Sequence, residues 1–184
     1  MSKLNFTFSG IKTDKMPPNN SIIKGSVTSV EPTYLVATSP NRNEIWTESK
    51  VQKAVDSGSI DDTDIRKESG FRLVVNCGTK GNHNIIDKMD FNITLEQLSQ
   101  DIKLHLDSGL PLEKDAKKFV AIMQENNVKD FQSLVGTKLQ YARADRTPSS
   151  PFGNIVTVSL FREIAKNNDE PVVSNTTSRF MARS

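Results

Sequence analysis

Residues 134–164 read LVGTKLQYARADRTPSSPFGNIVTVSLFREI. Leu139 and Tyr141 alternate with Lys138, Gln140 and Ala142, the two-residue period of a strand with one buried and one wet face. A second strand-like run covers 154–161. The intervening DRTPSSPFGN, rich in Pro, Ser and Gly, cannot continue a ladder. The stretch predicts an antiparallel hairpin with that segment at its tip. Two arginines, Arg143 and Arg146, stand at the mouth of the loop.

Working upstream, Thr94 and Gln97 form a capping box for a helix whose apolar face is Leu95, Leu98, Ile102 and Leu106. Gly109 and Pro111 end it. Ala116, Phe119, Val120 and Met123 then repeat at the spacing of a second helix. His105, near the end of the first helix, suits capping better than catalysis. Ahead of the helices, 71–76 and 85–93 read as a hairpin around the glycine-rich turn GTKGNHN. Residues 43–57 predict a helix with Ile45, Val51, Ala54 and Val55 on one face. SIDDTDIRKESG reads as an exposed acidic loop. Residues 21–38 predict a long strand or strand pair, with Gly25 as a bend and Glu31-Pro32 interrupting the ladder. LNFTF, at 4–8, has the alternation of a half-buried strand, and KMPPNN breaks the chain after it.

This order predicts a mainly β fold with helices (α+β). It suits an OB-like five-stranded Greek-key barrel with strands at 21–38, 71–76, 85–93, 138–144 and 154–161 and a two-helix insertion at 94–126. An α+β sheet with helices on one face fits the same order. Residues 1–166 are expected to form one domain, and 167–184, with few large apolar side chains, a flexible or partner-bound tail.

The chain has 184 residues, 25% of them charged, and a formal net charge of +2, so charge alone names no partner. The single Cys77 excludes an internal disulfide framework and reads as a small core residue. The N-terminus lacks the apolar core of a signal peptide, and no apolar run approaches the ~20 residues of a membrane span. A cytoplasmic protein that avoids membranes is expected. The turn at 77–84 lacks the GxxxxGK[ST] spacing of a phosphate-cradling loop. Cys77, His83, Asp87 and Asp90 match no metal-ligand spacing, and Asp61, Asp62 and Asp64 lack the glycine and glutamate of a calcium loop. Two histidines and one cysteine support no nucleophilic triad. No enzyme activity, metal or cofactor is expected.

Leu134-Val135-Gly136-Thr137-Lys138, followed by a charged strand, a variable loop and a final apolar strand, resembles the closing hairpin of small single-strand-binding OB proteins of phages and plasmids. The resemblance covers about a sixth of the chain. It implies binding to single-stranded DNA or RNA in a phage or mobile element, without catalysis. The basic ending SRFMARS departs from the acidic, aromatic-tipped tail of bacterial members, which recruits replication proteins.

A single strand needs cations for phosphates and flat rings for bases. The candidate contacts are Lys138, Arg143, Arg146, Arg72 and Lys80 as cations, and Tyr141, Phe152, Tyr34 and Trp46 as stacking platforms. Tyr141 fits equally well as a core residue, with the arginines as solvated charge. An alternative class is a protein–protein interaction factor, an inhibitor or an assembly subunit. It would use the acidic loop, the Trp46 segment and the C-terminal tail; a third reading is a structural subunit that forms a homo-oligomer through sheet edges, and a homo-oligomer is expected.

Overall fold

A computed structural model describes residues 4–8, 10–11, 21–144 and 154–158. Six strands and three α-helices lie among them: β1 (Ser21–Ser39), β2 (Arg42–Thr47), α1 (Glu48–Asp56), β3 (Ile65–Lys80), β4 (His83–Phe91), α2 (Leu95–Ser108), α3 (Lys114–Glu125), β5 (Lys138–Ala144) and β6 (Asn154–Val156). The strands form one antiparallel sheet in the order β4-β3-β1-β5-β6, with β2 added to β1, and the sheet curls into a half-barrel.

β1 organises the sheet. One edge pairs with β3 from Ser26 to Val36. The other edge pairs first with β5, over Ser21–Ser26, and then with β2, over Thr33–Ser39. Pro32 lies in the interval between those two partners, where a missing N–H removes no bond on that edge. The strand therefore runs through Glu31-Pro32 instead of breaking there. Register shifts after Val27, Thr33 and Leu35 absorb the bending.

The core fills the hollow of the half-barrel, under α2 and α3. Phe119 of α3 meets Phe8, Phe71, Phe91 and Phe131 at centroid distances of 5.6, 5.1, 5.3 and 6.4 Å. Gly70 is required by close approach. A Cβ there would stand 1.8 Å from the Phe91 carbonyl oxygen, and that backbone atom cannot move aside as a side chain would.

Both helices behave as the sequence predicts. Thr94 Oγ1 accepts from the Gln97 N–H and Gln97 Oε1 from the Thr94 N–H, which closes the capping box. Gly109, left-handed at φ 70°, stops α2. His105 Nδ1 donates to the Leu110 carbonyl just past the helix end, at 2.6 Å. Leu106 departs from the expected core face and is exposed.

Three further expectations change. Arg42–Thr47 is strand, not helix, because β-branched and aromatic Ile45, Trp46 and Thr47 pair with Leu35, Tyr34 and Thr33. The helix begins only at Glu48, and Glu31 Oε1 accepts the Ser49 N–H in its first turn. In the polar segment 59–70, strand starts at Ile65, and exposure of Arg66, Lys67 and Glu68 hides the alternation. LNFTF keeps its in-and-out pattern, yet its one β-bridge among the described residues, Thr7 to Asp130, does not make it a strand.

The hairpin of β5 and β6 pairs Ala142–Ala144 with Val156–Asn154. Its tip, 145–153, and the tail, 167–184, lie outside the described residues. Where β6 ends, Asn126 continues the ladder with its side chain. Its Oδ1 accepts the Gln140 N–H at 2.7 Å and its Nδ2 donates to the Gln140 carbonyl at 3.0 Å. Asn126→Ala is expected to destabilise the fold by about 1–3 kcal/mol in chemical denaturation, since both backbone groups lose their partner. A change below about 0.5 kcal/mol would mean that solvent replaces the amide.

Candidate nucleic-acid interface

Cross-strand partners share a face of a sheet. Ser26 of β1 is opposite Lys138 of β5 on one edge and Asn76 of β3 on the other. Lys138, Ser26 and Asn76 thus form one row. Lys24, two residues along β1 and opposite Gln140, lies on the same face. These residues line a cleft of about 550 Å³, floored by β1, β3 and β5 and bordered by Asn126 at the end of α3. The cleft lining contains no Asp or Glu, although the chain carries 22 of them. Asn76 Oδ1 accepts the Gly78 N–H at 2.9 Å, leaving the NH2 of its amide as a further donor. Lys24 and Lys138 are both exposed.

A second cleft, also about 550 Å³, lies between the β1–β2 turn, Trp46, and the segment leading into β3. Glu44, Asp64 and Arg66 give it mixed charge. Trp46 is opposite Tyr34, and Tyr34 is opposite Glu68, so all three share one face. Lys50 Nζ lies 4.2 Å from the Trp46 ring centroid. Burial raises the Tyr34 pKa, and Glu48 and Glu68 raise it further, with Glu48 also hydrogen-bonded to it. The Glu68 carboxyl is likewise pushed up, by burial and then by Glu48 and Glu96. A phosphate approaching Tyr34 would meet Glu48 and Glu68.

The remaining candidates are dispersed. Arg72 is held side-on by Asp90, with Nε to Oδ1 at 2.6 Å and Nη2 to Oδ2 at 3.1 Å. Lys80 is exposed at the β3–β4 turn, opposite His83. Arg146 and Phe152 lie outside the described residues.

Tyr141 and Arg143 stand elsewhere than a phosphate-and-base contact would need them. Tyr141 is 0% exposed and Arg143 6%. Both project inward from β5, and both meet Asp87, which projects inward from β4. The Tyr141 hydroxyl donates to Asp87. Arg143 Nη2 lies 2.8 Å from each carboxylate oxygen and 3.0 Å from the Lys88 carbonyl. β3 and β1 separate these two strands within the sheet. The network therefore reaches across the hollow of the half-barrel and ties β4, at one end of the sheet, to β5, next to the other end. Burial, then the Asp87 hydrogen bond and charge, hold the Tyr141 hydroxyl far above its ordinary range. Cys77, packed against the core, has its thiol pushed up by burial and then by Asp87.

The alternation of 138–144 marks Tyr141 as a core position but carries no sign of its partner. Lys24 and Asn76 join the site only through register with Lys138, which no local sequence pattern encodes. No helix among the described residues is long and apolar enough to cross a membrane. Comparisons with family models, curated proteins and solved structures return no match.

Proposed function

We propose that this chain binds single-stranded nucleic acid, without catalysis, on an OB-like half-barrel. One observation carries the reading: the strand order β4-β3-β1-β5-β6, with α2 and α3 between β4 and β5. An OB barrel opened between its third and fifth strands has that order, with its helix between strands three and four. In this reading β1, β3, β4, β5 and β6 are the five barrel strands, and β2 with α1 is an insertion after the first. OB proteins bind oligonucleotides on the face of strands two and three and the loops beside it. The carboxylate-free cleft opens next to that face.

Fluorescence anisotropy with labelled oligo(dT) and with a duplex of equal length tests the proposal. Binding should favour the single strand and weaken linearly in log–log plots against salt, with a slope near −0.7 for each phosphate contacted. Absence of single-strand binding at low salt would remove the reading. It would favour the alternative, a protein-interaction factor using the glutamate-rich face around Tyr34.

A further inference from the structure

We infer that the cleft between β1, β3 and β5 is the subsite that holds the sugar-phosphate backbone, with Lys24 and Lys138 as its paired cations; this rests on the nucleic-acid reading above. Three features support it. The two lysines come from adjacent antiparallel strands at diagonal positions on one face, so their amines serve one ligand together. No carboxylate among the lining residues competes for them, in contrast to Glu44 and Asp64 of the second cleft. The Asn76 amide adds a neutral donor on the β3 side of Ser26, and a site offering cations and donors without carboxylates selects an anion.

The volume, about 550 Å³, suits a short stretch of strand and not a long track. The lining also lacks an aromatic ring. Bases passing this point have no stacking platform, so the cleft grips backbone and reads little sequence. Oligo(dT) and oligo(dA) should therefore depend on it alike.

Lysine footprinting tests the assignment on the full chain. The protein is acetylated with an amine-reactive ester, with and without saturating oligo(dT), and modification is read by peptide mass spectrometry. Lys24 and Lys138 should be protected, with a rate fall of about tenfold at about ten times Kd because only free protein reacts. Exposed Lys53 and Lys103, on α1 and α2, should react as before. In parallel, a Lys24→Gln/Lys138→Gln double variant, checked for an unchanged melting temperature, should show a salt slope shallower by about one to two units. If oligo(dT) binds but Lys24 and Lys138 stay fully reactive, or the double variant keeps the parental slope, the subsite is elsewhere and the general reading stands. If oligo(dT) does not bind at all, that reading fails, and this inference with it. Protection by inorganic phosphate alone, with none from the oligonucleotide, would also overturn the assignment.

Discussion

Replacing Asp87 by alanine should cost about 3–5 kcal/mol of folding free energy, the range for removing one partner from a buried ion pair. The carboxylate accepts from the Tyr141 hydroxyl and from Arg143, whose side chain is only 7% exposed. Without Asp87, Arg143 still reaches the Lys88 carbonyl but loses the bidentate carboxylate contact made in a low-dielectric interior. Removing the cation instead is milder. Arg143→Met leaves a carboxylate whose side chain is 17% exposed and still bonded to Tyr141. Urea denaturation of both variants should rank Asp87→Ala well below Arg143→Met. Equal losses would mean that the arginine gains its support from other contacts. A loss below about 1 kcal/mol for Asp87→Ala would show that water enters the seam and solvates the guanidinium.

Phe119→Ala should rival that effect, at about 3–5 kcal/mol, by emptying the centre of the aromatic cluster. The ring is 0% exposed and meets Phe71 and Phe91 edge-on, while those two stack at 5.0 Å. Phe71 and Phe91, fixed on two hydrogen-bonded strands, cannot both collapse into the vacancy, so the cavity persists. In thermal unfolding the midpoint should fall on the order of 10 °C for a chain of this size. Phe119→Leu, which keeps most of the volume, should lose much less. If alanine and leucine prove equivalent, the site relaxes and the cluster is not the rigid centre of the core.

Much of the architecture was legible in local signals. The Thr94–Gln97 box and the Gly109 stop placed two helices, because capping and left-handed glycine are decided within a few residues. The alternation at 138–144 and the turn at Gly81 placed two hairpins for the same reason. A helical period continues into Arg42–Thr47 from Val51 and Val55 and masks the strand there. That strand depends on a partner, Thr33–Ser39, whose availability no short window reveals. Ile65–Ser69 was hidden by polarity, since that part of β3 is exposed and needs little apolar content. The candidate site followed the same rule. Lys138 stood out as a charge, whereas its companions Lys24 and Asn76 depend on register. Tyr141 and Arg143 were legible as aromatic and cationic, but their shared carboxylate comes from across the barrel.

The double duty of β1 also sets an order of events during folding. Its pairing with β3 and β2, together with that of β3 with β4, needs only residues up to Phe91, so a four-strand sheet can assemble from the first half of the chain. Ser21–Ser26 must wait for Lys138–Arg143, separated from them by β2, β3 and β4 and by both long helices. Closing so long a loop carries a large entropic cost before any contact rewards it, so this pairing should be the slow step. While the ribosome is still making the intervening residues, that end of β1 presents an open edge carrying Ile22 and Ile23, able to recruit another nascent chain. Lys24 and Gly25, which follow directly, temper that hazard by charge and poor strand propensity.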